Sequence, residues 1–374
     1  MTRYFATVAR GLEALAAQEL EELGARNVTP AFAGLSFEGD KQLLYRVNLW
    51  SRLVFRVLVP IADVACSDAE ALYASIQKID WREYLQPSHS LAVDCTGSNF
   101  SLNHTHFTAL QVKNAIVDQQ RDQGGLRSNV DTLAPDLRIN LHIDKSRGTL
   151  SLDSSGESLH RRGYRPAVGA APLKESLAAA LLRMAEYRPD TPFLDPLCGS
   201  GTLPLEAALI SLDIAPGLFR KRFGFESWED FDAPLWTTLR REARTRRRPS
   251  LTAPIFGSDS DLEVLDLALN NAQRCGVEGL IQLQEKDLFD VEAPTDTGIL
   301  ICNPPYGERL GEVEQLVSFY RKLGDVFKQR FKGWTAYILT GNKDLAKQVG
   351  LKAAKRMPVW NGTIACTFLK YELY

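Results

Sequence analysis

Pro192-Phe193-Leu194-Asp195-Pro196-Leu197-Cys198-Gly199-Ser200-Gly201-Thr202, followed by an apolar helical stretch over residues 203–212, is the segment that decides the fold of this 374-residue chain. A short apolar run, a glycine-rich turn and a helix start, in that order, predict a strand leading into a helix N-terminus where backbone can approach a ligand closely. Gly199 and Gly201 can take positive φ and carry no Cβ. Asp195, at the strand's carboxyl end, is placed to accept from a cationic group or a held water. Cys198 stands where a dinucleotide fingerprint has its first glycine, so a pyrophosphate ligand is the poorer fit.

Downstream, residues 253–259 read as the next strand. It ends in Asp259, the acid position that in doubly wound folds grips ribose hydroxyls, with Asp261 as second candidate. A third strand over 280–284 leads to Asp287, placed to accept from an adenine amino group. An aspartate after a strand is also a common helix N-cap, and that reading stays open for Asp259 and Asp287. Next, the apolar run 298–302 ends in Asn303-Pro304-Pro305-Tyr306. The Asn303 amide oxygen and the Pro304 carbonyl can accept both hydrogens of one exocyclic NH2 group. The two prolines stiffen the loop, and Tyr306 can stack on an extruded base. These four residues form the candidate catalytic set for methyl transfer to an amino nitrogen. Repeated strand-helix alternation after residue 173 predicts a parallel sheet, and Asn361-Gly362 between apolar runs predicts a closing hairpin.

The stretches 195–202, 257–261 and 303–309 resemble the THUMP-containing, S-adenosylmethionine-dependent RNA methyltransferases, most of all the bacterial large-subunit ribosomal RNA guanine-N2 methyltransferases. Residues 151–165 resemble the connector leaving THUMP, and 171–177 the opening of the methyltransferase domain, so the matching motifs run from about residue 150 to 310. The resemblance implies S-adenosylmethionine as cofactor. It assigns Asp195, Gly199 and Gly201 to the methionine end of the pocket, Asp259 and Asp287 to ribose and adenine, and the Asn-Pro-Pro-Tyr loop to the base; Pro196, Cys198, Ser200, Thr202 and Asn303 are further cofactor-binding candidates. The implied fold is α/β: a C-terminal class I, Rossmann-like methyltransferase sheet over 161–374 behind an N-terminal α+β region, ferredoxin-like over 1–55 and THUMP over 56–160. The implied reaction is methylation of an exocyclic amino group in RNA, N2 of a guanine in 23S ribosomal RNA. The alternatives are an N6-adenine methyltransferase on RNA or DNA and a non-catalytic RNA-binding assembly factor; the retained acids and the retained Asn-Pro-Pro-Tyr favour the enzyme. Some relatives fuse a second methyltransferase after this module. With Tyr374 as the last residue, that activity is expected on another polypeptide.

A hydrophobic share of 45% and a charged share of 24% are those of an ordinary globular protein. No apolar run approaches the roughly 20 residues that span a bilayer, which predicts a cytoplasmic location with no membrane partner. Six cysteines occur without a Cys-x-x-Cys pair. His104 and His106 can share a strand face but lack further ligands, so no metal is expected. A net charge of -2 excludes a uniformly basic nucleic-acid binder. Local charge differs: residues 239–249 hold six arginines against the single Glu242, a density suited to phosphate contacts. Arg161, Arg162, Arg165, Arg220, Lys221 and Arg222 are candidates to extend this patch. The six arginines of the run lie in an insertion over 211–248 whose Trp228 and Trp236 read as packing residues, while Arg161, Arg162 and Arg165 lie in the connector.

Overall fold

Tyr4, Ala6 and Val8 are buried in alternation with more exposed neighbours, the two-residue period of a half-buried strand. In the computed structural model, which describes residues 1–165, 173–307 and 310–374, the chain forms two compact units. The first comprises Met1–Val8, Ala16–Leu159 and Arg220–Arg240. Its elements are β1 (Thr2–Thr7), α1 (Glu13–Glu22, whose first residues count with the second unit), β2 (Arg26–Ala31), β3 (Gly34–Gly39), α2 (Lys41–Trp50), β4 (Arg56–Ala65), α3 (Ala69–Ile76), β5 (Ser90–Ser98), α4 (Thr105–Gly124), β6 (Asn129–Val130), β7 (Leu137–Asp144) and β8 (Arg147–Asp153).

All eight strands form one sheet, ordered β2-β3-β1-β4-β8-β7-β5-β6. β4 is the joint, antiparallel to β1 on one side and to β8 on the other. β2 carries no apolar alternation because it is an exposed edge strand containing Pro30, which is why sequence patterning passes over it. His104 is not a strand residue. It is the N-cap of α4, accepting from the Phe107 amide, and His106 lies in the helix, so the shared strand face does not exist.

Residues Arg220–Arg240 leave the second half of the sequence to pack here. Tyr45 stacks on Phe225 with ring centroids 4.3 Å apart, and Trp236 meets Phe225 edge-on at 5.1 Å. Lys41 pairs with Asp230 at 2.8 Å. Trp236 is buried, and Trp228 packs against the core around Trp81. Both tryptophans are packing residues. Arg220 is buried too, its guanidinium donating to the carbonyls of Ser155, Glu157 and Ser158. Arg222 pairs with Asp136 at 3.0 Å.

The second unit comprises Ala9–Leu15, His160–Phe219 and Arg241–Tyr374. It holds α5 (Glu175–Met184), β9 (Phe193–Asp195), α6 (Thr202–Ser211), the end of α7 (Ala233–Thr245), β10 (Ile255–Asp259), α8 (Leu262–Cys275), β11 (Gln282–Glu285), β12 (Ile299–Cys302), α9 (Leu310–Arg330), β13 (Thr335–Thr340), α10 (Lys343–Gln348), β14 (Lys355–Asn361) and β15 (Ile364–Glu372). Their sheet runs β11-β10-β9-β12-β13-β15-β14, parallel except for β15. This is the class I methyltransferase order. One face buries Phe193, Leu205 and Leu209, the other Leu300, Phe327 and Trp334. The closing turn is one residue later than its sequence signal: Asn361 pairs with Ile364, so Gly362 and Thr363 form the loop, with Gly362 at φ +64°. A glycine at the first central position meets the backbone demand of a two-residue hairpin loop, which leaves Asn361 as a strand residue. Among the described residues no helix is long and apolar enough to cross a membrane.

Candidate active site

The carboxyl ends of β9, β10 and β12 lie side by side, in the registers Gly257↔Asp195 and Leu300↔Leu194. Asp195 is 2% exposed and accepts from the Leu197 amide at 3.1 Å. Burial, with a smaller contribution from the nearby Asp259 charge, pushes its carboxyl up to about 8. Such a group favours a cationic partner, because a positive charge would restore the anion that burial disfavours.

The turn after β9 is braced from three sides. The Gly199 amide donates to Asp259 Oδ2 at 2.9 Å, the Cys198 amide to the Ser258 carbonyl at 2.9 Å, and Asn271 Nδ2 to the Ser200 carbonyl at 3.1 Å. Gly199 and Gly201 have φ of +53° and +82°, and Gly201 is the N-cap of α6. A Cβ at Gly257 would lie 2.7 Å from Leu283 and 3.2 Å from Cys198, so a side chain on the strand beneath the turn would push its neighbours aside. Pro196 and Cys198 are buried, and burial pushes the Cys198 thiol up; the cysteine is a packing residue of the turn. Thr202 is buried with its hydroxyl taken by Arg165 at 3.0 Å.

Asp259 ends β10 and caps no helix. Its other oxygen accepts from the Asp261 amide at 3.1 Å. A carboxylate has about four lone-pair sites, so two backbone donors leave capacity for a ligand diol. Asp261, the second candidate, is instead the N-cap of α8, accepting from Glu263 and Val264. Asp287 is exposed and caps a single 3-10 turn through the Phe289 amide, which donates to its Oδ1 at 2.8 Å.

Asn303 follows β12. Its Oδ1 is buried and has no hydrogen-bond partner among the described residues. An unpaired buried acceptor is costly, and this one stands beside the carboxyl ends where ligands bind in open α/β sheets. Pro304 is buried and Pro305 exposed. Tyr306 is half-buried, its hydroxyl accepting from Asn361 Nδ2 at 2.9 Å. Asn271 and Asn361 were not legible as site residues: one sits in a polar helix pattern, the other in a turn signal. Residues 308 and 309 of the resembling stretch, and 171 and 172 of the domain opening, lie outside the described residues.

The basic patch is smaller than the sequence implies. Arg162 is 2% exposed and paired with buried Glu206, and Arg165 pairs with Glu175 at 3.0 Å. Arg246 pairs with Asp213 at 2.9 Å, Arg247 donates to the Gly276 carbonyl and Arg248 to that of Ser211. Guanidiniums take these places because each can donate to several carbonyls or a carboxylate at once.

A parallel sheet with this strand order, a braced glycine turn after its first strand and an acid ending the second define a class I, S-adenosylmethionine-dependent methyltransferase. Three family models match the chain: the RMKL-like methyltransferase domain over 162–370, the THUMP domain over 66–153 and the RlmL ferredoxin-like domain over 3–58. A Synechocystis protein named as an RNA methyltransferase is 59% identical over 99% of this chain and 97% of its own length. The ribosomal RNA large subunit methyltransferase K/L of Syntrophotalea carbinolica is 44% identical over 99% of this chain but 53% of its own length, so the chain spans about half of that relative. A crystal structure of a methyltransferase complexed with SAH matches with TM-score 0.88 and 30% identity, covering 100% of this chain and 98% of that one. The chain belongs to the THUMP-containing, RMKL-like family of RNA methyltransferases.

Proposed function

We propose that the protein methylates the exocyclic N2 of a guanine in 23S ribosomal RNA. The observation that carries the amino-group chemistry is the buried Asn303 Oδ1 just after β12, without a hydrogen-bond partner among the described residues; the guanine and the ribosomal RNA rest on the family likeness. With the Pro304 carbonyl, it accepts the two hydrogens of the target NH2 group and turns the nitrogen lone pair out of conjugation with the ring. S-adenosylmethionine supplies an electrophilic methyl group when bound. Asp195 receives the cofactor's ammonium, Gly199 and Gly201 let backbone approach its methionine end, Asp259 takes the ribose diol and Asp287 the adenine amino group. Tyr306 faces the extruded base. No obligatory base is assigned, since the nitrogen becomes acidic once methylated and its proton can pass to water.

The test is incubation of the protein with labelled S-adenosylmethionine and 23S ribosomal RNA, naked and at successive assembly stages, with the modified nucleotide mapped. Label at N2 of one guanine is the expected outcome. Label on adenine N6, or on a different RNA, overturns the substrate assignment.

A further inference from the structure

We infer that Asn361, at the tip of the terminal hairpin, is the residue that holds Tyr306 in position against the target base; this rests on the reading of Tyr306 given above. Tyr306 sits on an irregular loop. The prolines before it stiffen the backbone but leave its own χ1 and χ2 free. A ring used only as a stacking face needs no hydroxyl, yet here the hydroxyl is tethered, by Asn361 Nδ2 at 2.9 Å, with the Cys366 thiol a further 3.9 Å contact.

The sheet explains how the tether arrives. Thr340 at the end of β13 pairs with Thr367 of the antiparallel β15, so the turn between β14 and β15 projects past the carboxyl ends of the parallel strands. Asn361 closes β14 opposite Ile364. Gly341 completes the clamp: a Cβ there would lie 3.0 Å from Tyr306 and 3.1 Å from Ile364, so the ring lies close against this position and a side chain there would press on it. The ring is thus fixed at its root by the proline loop, on its flank by Gly341 and at its tip by Asn361.

A double-mutant cycle in the full chain tests this. Asn361→Ala is expected to lower kcat about five- to tenfold, the worth of one hydrogen bond, with KM for S-adenosylmethionine unchanged. Tyr306→Phe should produce a similar loss, and adding Asn361→Ala to it should cost nothing more, because the bond is already gone. A hairpin merely damaged by Asn361→Ala would lose activity equally in both backgrounds, which overturns the inference, as does an unchanged kcat for Asn361→Ala. Tyr306→Ala separates the two readings. If it keeps wild-type turnover, the assignment of Tyr306 to the base fails and the inference with it; if it abolishes turnover while Asn361→Ala is silent, only the inference fails.

Discussion

Asn303 Oδ1 is an acceptor with nothing among the described residues to accept from, and that makes its role separable from stability. Asn303→Ala removes no hydrogen bond made through that oxygen, so the thermal midpoint should hold while turnover falls by about two to three orders of magnitude, as when one preorganised transition-state partner is lost. Calorimetry on the same variant should find cofactor affinity nearly unchanged; turnover within a few fold of wild type rejects the assignment. Asp195 carries a pH signature. Its folded pKa, about 8, lies above the ordinary 3.8, so the folded protein alone holds the extra proton between those values. Its contribution to stability is whole below pH about 4 and is lost as pH rises through about 8. Cofactor affinity should move oppositely, strengthening toward pH 8 as the anion that receives the ammonium forms. Denaturant midpoints and titration calorimetry across pH 5–9 check both, and Asp195→Asn should flatten both trends.

At the scale of elements, the glycine turn works because its neighbours leave space for it. Gly257→Ala would put a methyl 2.7 Å from Leu283 and 3.2 Å from Cys198, both packed within the second unit. Overpacking of this kind costs about 1–3 kcal/mol; the expected outcome is a lower unfolding midpoint together with weaker cofactor binding, because Cys198 anchors the turn to Ser258. An unchanged midpoint would mean that β10 and β11 can part without penalty. The arginine run divides at this scale too. Arg246 is held by Asp213, Arg247 and Arg248 by backbone carbonyls; all three are exposed, as are Arg241 and Arg244 on α7, which have no such partner among the described residues. These two are therefore the better candidates for phosphate contacts.

For the whole molecule, Arg220–Arg240 is the consequential excursion. A cut at residue 161, where the family-like methyltransferase region begins, would leave Phe223, Phe225 and Trp236 in the fragment and Tyr45 outside it, though these rings pack on one another. The fragment 161–374 should accordingly be cleaved by protease within 220–240 where the full chain resists, and should bind RNA more weakly, since a pocket for one flipped base recognises little beyond it. A protease-resistant fragment with full RNA affinity would assign both folding and recognition to the second unit.

The strand-turn-helix at 192–212, the order of the later strands and the Asn-Pro-Pro-Tyr loop were determined by sequence alone, because each depends on apolar periodicity, glycine φ and proline geometry within a few residues. Tertiary structure decided what periodicity cannot carry. Edge strand β2 pairs without burying an alternating face, Arg162 and Arg220 are interior rather than basic-patch residues, Asp261 rather than Asp259 caps α8, and Asn361 reaches Tyr306 across 55 residues of sequence. Each of these turns on which partner a polar group meets after folding. A residue's type fixes how many hydrogen bonds it can make, but only the folded chain decides with whom.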